Sequence, residues 1–228
     1  MSLDASTWVA EAVAVFAKEW RCELRTRYAL STLFLFAFTT LVVVSVFLGP
    51  LGVGKSQGTA VLPVLFWIIL LFSVAAGLPR VFVQEEESQT AIALRLAATP
   101  SALFCGKLSY GLTVIFALEA LITPIYLAIM GLNVRAPGLL IATLAVAGYG
   151  LAGGSTLVAA IIAQAHSKGT LFAVMAFPVL LPLLLLAIEL TRNALGGEPA
   201  GVALFQLLLY DGSVTIAGLM LFPAVWNP

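Results

Sequence analysis

The chain has 228 residues, of which 61% are hydrophobic and only 10% carry a charge. A soluble domain has roughly 45–50% apolar and about 25% charged residues, so this chain has too few polar side chains to cover a globule. The mean hydropathy of +1.09 excludes an ordinary soluble enzyme, a disordered protein and a secreted disulfide scaffold. The formal net charge is zero, which leaves no basic field to attract nucleic acid. We therefore expect an integral membrane protein.

Residues 4–28 come first and predict an amphipathic helix. The apolar face comprises Trp8, Val9, Ala12, Val13, Phe16, Trp20 and Leu24, and the opposite face comprises Glu11, Lys18 and Arg25. Glu19 and Glu23 interrupt the apolar face, so the pattern is imperfect. A helix with tryptophan at its boundary and a basic end is typical of the membrane interface. We expect this helix to lie in the interface, and a soluble arm that packs on a partner is the alternative.

Six later segments are long and apolar enough to cross a bilayer, because a membrane helix needs about 20 apolar residues. They are approximately 29–49, 60–78, 108–130, 138–163, 171–190 and 202–225. Helices are favoured over barrel strands because lipid leaves each backbone amide needing a partner within its own segment. Eight Lys and Arg residues fall on one side and three on the other, which predicts that both termini face the cytoplasm. The predicted architecture is a single all-α transmembrane domain over residues 1–228.

The connection at 79–107 is the longest between predicted spans. It contains the acidic run 85–87 and then residues 91–98, which favour helix. Pro100 is expected to end that helix. A long charged cytoplasmic segment is where a membrane protein would meet a soluble partner, but a charge run is usually a solvated face. Both interpretations stay open at this point.

Residues 49–56 match the phosphate-loop pattern GxxxxGK[ST]. A phosphate loop needs a buried strand before it and a helix N-terminus after it, so that backbone amides converge on the phosphates. Here an apolar span precedes the match, and the predicted topology places it outside the cytoplasm. We therefore expect a turn at 49–56 and no ATP binding by this chain.

Two carboxyl groups, Glu119 and Asp211, lie within the third and sixth predicted spans. An unpaired charge inside a span costs at least about 3 kcal/mol, so such residues usually face the interior of a bundle or a partner. One interpretation is a proton or substrate relay. The other, which we favour, is a protonated side chain hydrogen-bonded to a neighbouring helix or another subunit, because the spans contain no Lys, Arg or His that could complete a relay.

Two further patterns concern helix packing. Gly150 and Gly154 form a GxxxG pair in the fourth span, which favours close helix contact. Pro178 and Pro182 lie four residues apart in the fifth span and predict a bend. The single histidine, His166, makes no metal site, and no nucleophile with a base is present, so nothing indicates an enzyme.

The order and spacing of several residues resemble the haem exporter B proteins of cytochrome c maturation, within the type-2 ABC transporter permeases. The resemblance covers about residues 80–190. It departs from the family at 90–95, where a Gly and a Glu are usual and this chain has Ala91, Ala93, Leu94 and Arg95. The residues that carry it are Phe82, the acids 85–87, Pro100, Lys107, Pro124, Gly131, Asn133, Val134, Ser167, Lys168, Gly169, Pro178 and Pro182.

The resemblance implies a multi-pass permease subunit of the bacterial inner membrane that binds a separate cytoplasmic ABC ATPase. It also implies a second copy of the chain, a haem-handling membrane protein and a small single-span subunit as partners, with ATP hydrolysis releasing a haem-loaded periplasmic chaperone. The ATPase-coupling residues would be Glu85, Glu86, Glu87, Arg95, Pro100 and Lys107.

We expect no cofactor on this chain, with ATP bound by the partner and haem handled by partner proteins. Haem iron takes an axial His, Met, Cys or Tyr, and His166 lies in a predicted cytoplasmic loop. Another type-2 ABC export permease, for a lipid, polysaccharide or drug, is the first alternative. An unrelated secondary transporter or a structural scaffold is the second.

Overall fold

The computed structural model describes residues 5–48, 58–78, 85, 90, 94, 96–163 and 170–226. All regular structure in these residues is helical, which confirms the predicted all-α class. The long helices are α1 (Ala5–Thr26), α2 (Tyr28–Leu48), α3 (Gly58–Gly77), α4 (Pro100–Met130), α5 (Pro137–Ala163), α6 (Thr170–Gly196) and α7 (Ala203–Trp226).

Five helices, α2 and α4 to α7, are long and apolar enough to cross a membrane. The apolar part of α3, Val61–Gly77, is shorter than the usual span. The α3 helix nevertheless lies inside the bundle: Trp67 is fully buried and its Nε1 donates to Thr191 Oγ1 of α6 at 2.8 Å. Near the start of α3, the carbonyl of Leu62 accepts a hydrogen bond from the Tyr126 hydroxyl of α4 at 2.8 Å.

The α4 helix corrects the expectation that the connection between the spans extends from 79 to 107. Thr99 has extended backbone and Pro100 occupies the start of the helix, where its missing N–H costs nothing. Pro100 therefore begins α4, and residues 100–107 are helical rather than part of a connection. With 31 residues, α4 is about 46 Å long, whereas the hydrocarbon core is about 30 Å thick. At the other end Gly131 adopts the left-handed conformation, with φ 63°, that terminates many helices.

The α5 helix is the centre of the bundle and packs against α4, α6 and α7. Its glycines allow this close approach, since a Cβ on Gly154 would lie 2.6 Å from Leu180 of α6. A Cβ on Gly150 would overlap Leu183 of α6 and Asp211 of α7. The GxxxG pair therefore faces neighbouring helices at both positions.

The α6 helix contains Pro178 and Pro182 and is helical on both sides of them. Pro182 has no N–H to donate to the carbonyl four residues earlier, so that carbonyl lacks its usual helical hydrogen bond. Next to it, the Tyr210 hydroxyl of α7 donates to the carbonyl of Val179. The predicted bend remains a prediction.

Candidate functional site

The α1 helix packs mainly on the N-terminal part of α4, with few contacts to α2. Gly106 of α4 permits this contact, because a Cβ there would lie 2.7 Å from the carbonyl oxygen of Ala12 and from Val15. A side-chain bond supports it, since Trp8 Nε1 donates to Ser101 Oγ at 2.9 Å. The first helix is thus docked on its own chain.

The buried face of α1 coincides only in part with the apolar face expected from the sequence, of which Trp8, Ala12, Phe16 and Trp20 are half-buried. Val15, Glu19 and Glu23 are buried against the rest of the chain, whereas Val9 and Val13 are exposed. The two glutamates that interrupt the apolar pattern therefore lie at the contact with the bundle, where each has a specific partner.

Glu19 belongs to a buried cluster of two cations and two anions. Lys107 Nζ lies 2.9 Å from Glu19 Oε1 and 2.8 Å from Glu85 Oε2. Lys18 Nζ lies 2.8 Å from Glu19 Oε1 and also pairs with Glu85. The Lys107 side chain is only 1% exposed. The cluster, Lys18, Glu19, Glu85 and Lys107, joins three parts of the chain: α1, the segment before α4, and α4 itself.

Charge compensation inside the cluster is uneven. Burial opposes ionisation of Glu19, but the ammonium groups of Lys107 and Lys18 outweigh it and hold the pKa of Glu19 below its usual value. Burial raises the pKa of Glu85, and the nearby Glu19 adds to this while Lys107 and Lys18 oppose it. Burial lowers the pKa of Lys18, but Glu19 and Glu85 outweigh it and the net shift is upward. Loss of one member would leave an uncompensated buried charge, which typically costs about 3–5 kcal/mol.

A second tie joins α1 to the start of α4. The backbone N–H and the hydroxyl of Thr99 both donate to Glu11 Oε2, at 2.9 Å and 2.7 Å. These two bonds lower the pKa of the Glu11 carboxyl. The carboxylate also lies beside the first turn of α4, where the helix dipole favours negative charge.

Glu23 has a third, different role at the junction of α1 and α2. Its Oε1 accepts the backbone N–H of Leu30 at 2.8 Å, so it caps the first turn of α2. The two helices meet at Arg27, whose φ of 53° lies in the left-handed region that non-glycine residues rarely occupy. One buried carboxylate thus stabilises a strained junction between two helices.

A groove runs between α1 and the residues just before α4. The described residues 94, 96 and 97 are helical, as predicted for 91–98. The groove has a volume of about 420 Å³. Next to it Leu96 is 86% exposed. Small side chains dominate the lining, which comprises Thr7, Ala10, Glu11, Ala14, Val15, Lys18, Leu94, Ala97 and Ala98.

Three of the proposed coupling residues lie in the cluster or at the start of α4. Glu85 and Lys107 are buried in the cluster and Pro100 starts α4. Lys107 was expected in the connection between two spans, and that placement is wrong because the residue is buried in α4. The alternative of a solvated charge run does not hold for Glu85, which is buried and paired with Lys18 and Lys107. The remaining coupling residues, Glu86, Glu87 and Arg95, lie outside the described residues, as do 49–56 and His166.

The sequence did not indicate which residues form the contacts between α1 and the start of α4. Lys18, Glu19, Glu11 and Thr99 were not proposed as site residues. Two signals could have found them: acidic residues on the apolar side of α1, and a lysine, Lys107, immediately before an apolar run. A charge at such positions needs a buried partner of opposite sign.

The two bundle carboxyls lie apart from the cluster, on either side of α5. Glu119 of α4 is 4% exposed and Asp211 of α7 is 3% exposed. Neither Oε1 of Glu119 nor either oxygen of Asp211 has a hydrogen-bond partner among the described residues. The expected bond to a neighbouring helix is therefore not formed by these atoms. Among the same residues, no group of His, Cys, Asp and Glu could hold a metal ion.

Long apolar helices around one buried core, five of them long enough to cross a bilayer, define a polytopic helical membrane protein. The family described as CcmB protein matches residues 10–225. The chain therefore belongs to the CcmB family, the haem exporter B proteins, which are membrane permease components of an ABC transporter in cytochrome c maturation. No individual curated protein matches the chain significantly. The resemblance stated from the sequence is confirmed.

Proposed function

We propose that this chain couples ATP hydrolysis by a separate cytoplasmic ATPase to haem delivery, or to release of the haem-loaded periplasmic chaperone. Its family implies an ABC transporter with an ATPase partner. The observation that carries the proposal is the buried ion-pair cluster, in which Lys107 of α4 binds both Glu85 and Glu19.

The cluster supports coupling because it joins a segment outside the spans to a helix inside them. A displacement of the residue 85 region would pull on Lys107 and Lys18 together. The α4 helix then carries the movement along its length of about 46 Å, which exceeds the thickness of the hydrocarbon core. Glu11, bonded to Thr99, makes α1 move with the same unit.

The ATPase docks, in this proposal, on the groove between α1 and residues 94–98. The groove is lined by alanines that would admit a helix closely, with Glu11 and Lys18 available for polar contacts. Leu96 is the most exposed large hydrophobic side chain among the described residues and would be covered by the partner. The acidic residues Glu86 and Glu87, together with Arg95, remain proposed rim contacts that set register and association rate.

The proposed topology has six spans with both termini in the cytoplasm of a bacterial cell and the protein in the inner membrane. The span that adds to the five long apolar helices is α3, whose apolar stretch Val61–Gly77 measures about 26 Å and is accommodated by a slight thinning of the bilayer. The first helix lies in the interface. Its exposed Val9, Val13 and Leu24 would face lipid.

The other partners are proposed from the family alone. They are a second copy of the chain, a haem-handling membrane protein and a small single-span subunit. This chain itself is proposed to be non-catalytic and to bind no cofactor, with ATP held by the ATPase and haem handled by partner proteins.

Substitution of Leu96 in the assembled complex tests the proposal. Leu96→Glu should release the ATPase and abolish assembly of cytochrome c, because a buried charge is costly at a docked apolar contact. The amount of chain in the membrane should not change. Arg21→Glu is the matched control, since it places the same acid at an exposed position of α1 outside the groove lining. Retention of the ATPase at normal stoichiometry by Leu96→Glu would place the docking surface elsewhere.

A further inference from the structure

The bundle carboxyls occupy two notches in α5, and each notch exists because α5 has a glycine there. A Cβ on Gly148 would lie 2.9 Å from both carboxyl oxygens of Glu119. A Cβ on Gly150 would overlap the carboxyl group of Asp211. Any larger residue at either position would displace an acid from its place. The glycines are thus required by the carboxyls and not only by helix contact.

The two notches open on nearly opposite sides of α5. An α-helix turns by about 100° per residue, so Gly148 and Gly150 point about 200° apart. Glu119 approaches from α4 and Asp211 from α7. The central helix is therefore held between two acids that belong to different neighbours.

Among the residues that the structure describes, the helix segments around both acids carry no compensating cation. No charged residue occurs in α5, and Glu119 is the only one between residues 108 and 130 of α4. Asp211 is the only charged residue of α7, and none occurs between residues 175 and 188 of α6. The Gly148 notch is closed by Phe116 and the Gly150 notch by Leu183.

The hydroxyls near Asp211 are engaged elsewhere. Tyr149 of α5 is hydrogen-bonded to Thr215 Oγ1 at 3.0 Å, and Thr215 donates to the carbonyl of Asp211. Tyr210 donates to Val179 of α6. An ionised carboxylate in either notch would be desolvated and without a counter-charge, which proteins avoid by binding a proton.

We infer that Glu119 and Asp211 are proton-binding sites of the packed bundle, each held as a neutral carboxylic acid in a glycine notch of α5. The ligand is a proton and not a metal cation, because the notches supply apolar carbon beside a single carboxyl group, whereas a metal needs several oxygen donors. Ionisation of either acid expels it from its notch and separates α5 from that neighbour. The inference concerns packing within the bundle and does not depend on the ATPase coupling proposed above.

Size complementation tests the notches in the purified full chain. Gly150→Ala should lower the midpoint of thermal unfolding by roughly 5–10 °C, because an added carbon overlaps Asp211 and Leu183. The double variant Gly150→Ala with Asp211→Ala should recover the part of that loss that Asp211 causes, while the overlap with Leu183 remains. Gly153→Ala is the control, since its nearest contact would be an ordinary 3.9 Å to Thr215. Equal loss in the single and double variants would overturn the notch for Asp211.

Neutral isosteres and infrared spectra test the proton. Glu119→Gln and Asp211→Asn mimic the neutral acid and should leave the unfolding midpoint within about 2 °C of the parent. The C=O stretching band of protonated carboxylic acids should be present at neutral pH and should lose intensity in each variant. A parent chain without that band, or Gln and Asn variants as unstable as the matching Ala variants, would overturn the inference.

Discussion

Two regions of this protein bury carboxyl groups in opposite ways. In the cluster at the start of α4, Glu19 and Glu85 lie within 3 Å of lysine nitrogens, and the four charges balance. In the bundle, Glu119 has no cation between residues 108 and 130 of α4, and Asp211 has none in α7. The first arrangement joins segments with strong, directional bonds, whereas the second demands a neutral acid and depends on shape. A buried acid is therefore evidence of a mechanical link only where its counter-charge is buried with it.

Of the changes that test this contrast, removal of the Lys107 cation should lower the unfolding free energy most. Lys107→Met keeps the length of the side chain but leaves Glu19 and Glu85 with only Lys18, so we expect a loss of about 3–5 kcal/mol in unfolding free energy. Thermal or denaturant unfolding of the purified chain measures it. Lys107→Arg keeps a cation beside Glu19 and Glu85 and should retain more stability than Lys107→Met. Equal losses in the two variants would show that the charge of Lys107 does not stabilise the cluster.

Neutral substitution of a carboxylate should separate the two regions directly. Glu19→Gln leaves Lys107 undercompensated, and we expect a loss of about 2 kcal/mol. Asp211→Asn should cost less than about 0.5 kcal/mol, because the bundle holds the acid in its neutral form. Both variants are compared in the same detergent by chemical unfolding. Equal losses at the two sites would remove the distinction between them.

The contact between Glu11 and Thr99 should weaken in acid. The pKa of the Glu11 carboxyl is lowered by the bonds from Thr99, so its contribution is complete above the usual carboxyl pKa and disappears as the pH falls through the lowered value. The protection of α1 amides against hydrogen exchange, taken relative to the intrinsic rate at each pH, should therefore fall at acid pH. Glu11→Ala should show low protection at every pH, and an identical pH response in this variant would contradict the assignment.

No effect on activity is expected from substitution in the phosphate-loop-like sequence at 49–56. Lys55→Ala should leave the assembled complex fully active, because an apolar segment and not a buried strand precedes the phosphate-loop-like sequence at 49–56. Loss of nucleotide binding in this variant would contradict the interpretation.

The purified chain should likewise carry no stoichiometric haem, because its single histidine, His166, lies in a predicted cytoplasmic loop. Optical spectra of the chain alone measure this. A Soret band that survives His166→Ala would show that another residue ligates haem.

The sequence predicted the helices well because apolar run length depends on local composition. It placed the start of α4 about two turns late, since Pro100 can end one helix or begin the next. The cluster could not be predicted in detail, because Glu19 and Lys107 are 88 residues apart and local periodicity carries no information about such pairs. Glu119 and Asp211 were found because a lone acid in an apolar run is conspicuous. Their glycine notches became visible only in three dimensions.

The distance in sequence between α1 and α4 also sets an order of events during synthesis. Glu19 leaves the ribosome 88 residues before Lys107 does. At about 5–20 residues per second, this interval is roughly 4–18 s. Throughout it, the carboxylate has no buried counter-charge and must remain in contact with water. A fully apolar first helix would enter the bilayer in that time. The mixed polarity of α1 keeps it at the membrane surface until α4 has been made and the two can dock.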